Sequence, residues 1–118
     1  MTANDVVAAL AAATLTYTDE VSLHEDMSRV LAAAGIEHER EVRLTPHDRI
    51  DFLTAGGVGI EVKVAGSLVA VTRQMQRYAH HDDVHSLVLV TTRAVHHGIP
   101  TSLGGVPVEL YSLIGQGL

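Results

Sequence analysis

Three side chains could carry chemistry in this chain: Asp51 and, after nine intervening residues, Glu61 and Lys63 of the tripeptide Glu61-Val62-Lys63. Lys63 is the only lysine; the other seven basic residues are all arginine. Two carboxylates set against one lysine suit a divalent-metal phosphodiesterase site. Carboxylate oxygens are hard ligands, which favours Mg²⁺ or Mn²⁺. An ion held by Asp51 and Glu61 polarises a phosphoryl oxygen and lowers the pKa of a bound water. Lys63 is placed to orient that water or to stabilise developing charge. The backbone carbonyl of Val62 is a further ligand.

These residues need two paired strands to meet. Arg49 to Leu53 and Val58 to Val64 read as strands around the turn Ala55-Gly56-Gly57. If the turn centres on Gly56, position 51 faces 61 and position 49 faces 63. Alternation then puts Arg49, Asp51, Glu61 and Lys63 on one face, and Ile50, Phe52, Ile60, Val62 and Val64 on the other. A slip of one residue would bury the charges. Directly opposed Cβ atoms lie about 4.5–5.5 Å apart, close enough for two carboxylates to grip one cation. The competing reading is an ordinary surface ion-pair cluster.

Around this hairpin the expected order is α, α, β, β, β, α, β, β. An Ala-rich helix spans Asp5 to Leu15 and packs into the domain or a partner. A second runs from about Asp19 to Ala34 and stops at Gly35; Leu23, Met27, Val30, Leu31 and Ala34 form its core face. A strand from Glu39 to Leu44 precedes the turn Thr45 to Asp48. Ser67 caps a helix from Leu68 to about Ala79. Ser86 to Thr91 is nearly all apolar, as in a strand covered on both faces. His96 to Gly105 reads as loop, and Val106 to Ile114 as a last edge strand.

The 118 residues make one α/β domain large enough for a real core, and 47% are hydrophobic, which excludes a disordered chain. There is no cysteine, hence no disulfide framework or thiolate metal site, in keeping with a cytoplasmic location. The first fifteen residues read as neither a signal peptide nor a membrane span. Net charge is −6, which argues against bulk electrostatic binding of nucleic acid. Yet seven of the eight basic residues lie between Arg29 and Arg77, so a local basic patch is expected. Adjacent histidines at His80-His81 and His96-His97 lack the spacing of a tetrahedral zinc site. The glycines from Gly56 to Gly59 make a hairpin turn, not a phosphate-binding loop.

From roughly Glu20 to Thr91 the chain resembles the PD-(D/E)XK nuclease superfamily, with Asp51 and Glu61-Val62-Lys63 as its signature. It is most similar to the small VRR-NUC and Holliday-junction-resolvase-like branch common in phages. Arg49-Ile50-Asp51 matches a strand often found there, and Gln74-Met75-Gln76-Arg77-Tyr78 fits its Gln-x-x-x-Tyr motif. No proline precedes Asp51. The resemblance implies a restriction-endonuclease-like α-β-β-β-α-β core: a mixed sheet flanked by helices, here with an extra N-terminal helix and a C-terminal edge strand. It also implies a third carboxylate on the preceding helix. Glu20 falls on the inward side, near Leu23 and Leu31, whereas Glu25 turns outward, so Glu20 is the first choice and Glu25 the second. As plain structure, Glu25 would form a capping box with Ser22, and Glu20 would complement the helix dipole. His24, beside that face, reads as a polar histidine with its bonds satisfied.

Gln74 and Tyr78 share a helix flank, and Arg73 and Arg77 form another i,i+4 pair suited to phosphates. With Arg49 they are the expected nucleic-acid contacts. The implied activity is a Mg²⁺- or Mn²⁺-dependent DNA endonuclease. A domain this small, without a separate recognition module, points to structure-selective cleavage of branched or flapped duplex by a homodimer, with the first helix as a dimer element. The alternative is an inactive nucleic-acid- or protein-binding module on the same scaffold.

Overall fold

The computed structural model describes residues 2–115. Its elements are α1 (Ala3–Ala12), α2 (Glu20–Ala33), β1 (His38–Arg43), β2 (Arg49–Thr54), β3 (Val58–Lys63), α3 (Leu68–Ala79), β4 (Ser86–Thr91), a 3-10 helix (Ala94–Gly98), β5 (Ser102–Leu103) and β6 (Val106–Ser112). The result is an α/β fold with a mixed six-stranded sheet in the order β1-β2-β3-β4-β6-β5. β1, β2 and β3 are joined antiparallel, while β3, β4 and β6 run parallel. Parallel neighbours need a crossover, and α3 supplies the one between β3 and β4. No helix among the described residues is long and apolar enough to cross a membrane.

Local chemistry sets the helix ends. α1 starts earlier than expected because Thr2 and Asp5 form a capping box. It also ends earlier, at Ala12, and Leu15 turns into the core beyond it. At α2 the capping box is Asp19 with Ser22, not Ser22 with Glu25. Its far end closes on Gly35 at φ +77, where Gly35 N–H donates to Ala32 and Ile36 N–H donates to Leu31. That pair of bonds is a Schellman motif, which needs a left-handed residue at Gly35.

The sheet is covered on both faces. On one, Val6 and Leu10 of α1 and Leu23, Met27 and Leu31 of α2 pack on Phe52, Ile60, Val62, Val88 and Val90. On the other, Val71, Met75 and Tyr78 of α3 pack on Ile50, Leu87, Leu89 and Val108. Fully burying each such aliphatic side chain stabilises by about 1.5–3 kcal/mol. Of the two roles expected for α1, the structure shows the packing one: Ala3, Val6 and Leu10 are buried in the fold. Two further expectations change. The segment after β4 is not plain loop, since it holds the 3-10 helix and β5. β6 is not a simple edge, because β5 pairs with its start through Ser102–Pro107 and Leu103–Val106.

Candidate active site

The hairpin register is the expected one: Phe52 faces Ile60 and Leu53 faces Gly59, which puts Asp51 opposite Glu61. The two-face partition does not hold. Ile50 packs in the α3 cluster, whereas Phe52 packs in the α1/α2 cluster, so alternation breaks at Asp51. β1 breaks at the same level. Arg40 lies 6.0 Å over the Phe52 ring and Val42 packs against the α3 cluster. Between them Glu41 adopts φ +52, an uncommon conformation for a residue with a side chain. Glu61 itself is not on an open surface, since it is only 3% exposed.

The break opens the seam between β2 and β3. Past Phe52 the backbone ladder is replaced by side chains: Asp51 N–H donates to Glu61 Oε1 (3.1 Å), and Val62 N–H donates to Asp51 Oδ2 (2.8 Å). The two carboxylates thus satisfy backbone donors that the splayed strands would leave orphaned. Lys63 Nζ stands 3.4 Å from Glu61 Oε2. From α3, the Tyr78 hydroxyl lies 3.0 Å from Glu61 Oε2 and 3.0 Å from the Arg49 carbonyl. A phenol has one proton and can donate to only one of these acceptors at a time.

Asp51, Glu61 and Lys63 line a cleft of about 220 Å³ at the carboxyl end of β3, walled also by Glu20, Val62, Val64 and Ala65. Of the two helix carboxylates, Glu20 lines it and Glu25 does not. With all groups ionised, three carboxylates and one ammonium leave a net charge of −2. Burial, and secondarily the neighbouring Asp51 charge, push the Glu61 carboxyl up to about 7. Burial also raises the Tyr78 phenol, which therefore stays a protonated donor.

The donor set fits a divalent cation in kind: hard oxygens, excess negative charge, and a buried carboxyl whose ionisation a cation would favour. Among the described residues, however, no three His, Asp or Glu side chains converge closely enough to hold an ion as they stand.

The remaining expected contacts divide. Neither Tyr78 nor Gln74 lines the cleft: the buried Tyr78 meets it only through its bond to Glu61, and Gln74, one turn earlier, is half-buried. Arg77 Nε donates to the buried Asp48 carboxylate at 2.9 Å, and Arg73 shares a shallow outer pocket with Gln76, Arg77 and His80. Arg49 is exposed and pairs with Glu41 at 3.8 Å, away from the cleft. The paired histidines do not form a site: His96 is a core residue, bonded to Thr91 Oγ1 (2.6 Å) and the Gly66 carbonyl (2.8 Å), and His97 bonds Ser112.

His24 is the site residue that sequence reasoning undervalued. Its Nε2 is buried without a hydrogen-bond partner, so it is not satisfied, and it lies 3.8 Å from Asp51 Oδ2. The signal was its i,i+4 spacing from Glu20. Compared with protein-family models, curated proteins and solved structures, the chain matches none.

Proposed function

We propose that this chain is a divalent-metal-dependent nuclease that hydrolyses DNA phosphodiester bonds as a structure-selective endonuclease. The fold would be the restriction-endonuclease-like α-β-β-β-α-β core, built by α2, β1, β2, β3, α3 and β4. One observation carries the reading: the β2–β3 seam opens at Asp51 and Glu61 and delivers both carboxylates, with the only lysine, into one negatively charged cleft.

Asp51, Glu61 and the Val62 carbonyl would hold Mg²⁺ or Mn²⁺, with Glu20 closing the shell from α2. The ion, when bound, supplies Lewis-acid polarisation of a phosphoryl oxygen and acidifies water. Tyr78 fixes the Glu61 carboxylate by donating to Oε2, which leaves Oε1 toward the seam. The Lys63 ammonium, partly exposed beside Glu61, donates to the attacking water or to a phosphate oxygen. Hydrolysis adds one water across the P–O bond; the phosphate keeps the hydroxyl and the departing sugar oxygen takes the proton. Arg73 and Arg77 on the outer side of α3 offer charge to the backbone of a duplex.

A second reading, a non-catalytic binding module on the same scaffold, draws on one observation. Each carboxylate already accepts a backbone N–H across the seam, a use that needs no ion. Incubating the protein with branched, single-stranded and linear DNA in Mg²⁺, Mn²⁺ or EDTA separates the two. The nuclease reading expects metal-dependent cleavage that falls by at least about a hundredfold in Lys63→Ala. Cleavage unchanged in that variant would sink the site assignment, and no cleavage of any substrate would favour the binding module.

A further inference from the structure

We propose that His24 is a nitrogen ligand of the divalent ion, shared with Asp51, and that it makes the site select Mn²⁺ over Mg²⁺. This rests on the metal reading of the cleft given above.

A buried polar nitrogen without a partner costs about 1–3 kcal/mol, so one that persists beside a carboxylate calls for a bound partner. His24 Nε2 is such an atom. Its ring is held in place: the centroid lies 5.6 Å from that of Phe52, and the side chain is 13% exposed. The nitrogen therefore does not simply swing out to water. It stands 3.8 Å from Asp51 Oδ2, too far for a hydrogen bond. Two donors each about 2.1 Å from one ion sit between about 3.0 Å apart at a right angle and about 4.2 Å apart in line, and the observed separation falls within that range.

Position on the helix agrees. Glu20 and His24 are one turn apart on α2, so they are neighbours on one helix face. Glu20 lines the cleft and His24 approaches the Asp51 carboxylate that faces it. One turn of α2 thus carries an oxygen ligand that lines the cleft and a nitrogen ligand beside Asp51. Its backbone is fixed by the Asp19–Ser22 capping box immediately before His24.

Selectivity follows from donor type. Mg²⁺ prefers oxygen ligands and retains its waters, whereas imidazole binds transition ions, with affinity rising after Mn²⁺ along the first row. One imidazole among carboxylates therefore favours Mn²⁺ without excluding Mg²⁺.

Calorimetric titration with Mn²⁺ and with Mg²⁺, together with pulsed electron paramagnetic resonance of bound Mn²⁺, tests this on the full chain. The proteins compared are wild type, His24→Leu, His24→Phe and Asp51→Asn. Both His24 variants keep an apolar body against Phe52, and circular dichroism checks their folding. The wild type is expected to show echo modulation from a coordinated nitrogen. His24→Leu and His24→Phe lose that signature and about tenfold in Mn²⁺ affinity, while Mg²⁺ affinity changes by less than about threefold. Nitrogen modulation that survives in His24→Leu, or Mn²⁺ affinity within about twofold of wild type, overturns the assignment. If Asp51→Asn abolishes binding while the His24 variants retain it, the cleft binds metal and only His24 is excluded. If wild type binds neither ion, the metal reading falls and this inference with it.

Discussion

At the scale of single residues, Glu61 is the group whose environment says most. Its carboxyl is raised from the ordinary value of 4.5 to about 7, first by burial and then by the Asp51 charge. A carboxyl raised on folding holds its proton more tightly in the folded state. Its stabilising contribution is complete below about pH 4.5 and is lost as pH rises through about 7. The shift corresponds to roughly 3 kcal/mol. Urea denaturation of the metal-free protein from pH 4.5 to pH 8 should show wild type losing stability of that order relative to Glu61→Gln. Parallel pH profiles for the two would contradict the burial argument. Tyr78→Phe removes a donor to the Glu61 carboxylate, so it should move the Glu61 titration to higher pH and raise the pH at which Mn²⁺ begins to bind. Titration of Mn²⁺ binding against pH checks this. Asp51, Glu61 and Lys63 were legible in the sequence because residue type and spacing carry them. The Tyr78 bond to Glu61 was not, because a Gln-x-x-x-Tyr spacing gives a helix flank but not which strand atom that flank meets. His24 was read as satisfied, since an orphaned nitrogen becomes visible only when its neighbours are in place.

At the scale of elements, the hairpin register was legible and the face assignment was not. A register follows from turn position and apolar pattern, both local. The swap of faces at Asp51 depends on β1, where Glu41 takes a left-handed conformation and lets Val42 and Ile50 turn toward α3 together. Nothing in the composition of Glu-Arg-Glu-Val announces that turn. Gly59 is the counterpart on β3. A Cβ there would meet Ile50 Cδ1 at 2.6 Å and Leu87 Cδ2 at 3.1 Å, and both side chains are fully buried. Gly59→Val should therefore destabilise by about 1–3 kcal/mol, and its strain falls on the residue next to Asp51. Cleavage by this variant should drop even at temperatures where it remains folded. An unfolding midpoint equal to wild type would contradict the packing described here. Both ends of α2 were legible, since an expected span of about Asp19 to Ala34 meets a helix from Glu20 to Ala33 capped by Asp19; only the capping pair differed, Asp19 with Ser22 in place of Ser22 with Glu25.

At the scale of the whole molecule, both sheet faces are covered and the cleft sits where the antiparallel hairpin splays from the parallel strands. The α/β class and the mixed sheet were legible from the change of hydrophobic period along the chain. The tail was not: β5 is two residues long, too short for any periodicity to mark, and it exists because β6 offers an edge to pair with. The chain measures 33 × 30 × 24 Å and carries a net charge of −6. If the proposed nuclease cuts two strands of a junction, the Asp51/Glu61 cleft, present once per chain, calls for two copies. Light scattering is expected to give twice the monomer mass for the protein alone and two chains per DNA in its complex with branched DNA, and one chain under both conditions would contradict the dimer. The claim on which the rest depends is that Asp51 and Glu61 bind one divalent ion. Anomalous diffraction from a Mn²⁺-soaked crystal tests it most directly. The predicted result is a single strong peak bonded to both carboxylates and the Val62 carbonyl; a peak elsewhere on the molecule, or none in the cleft, would contradict it.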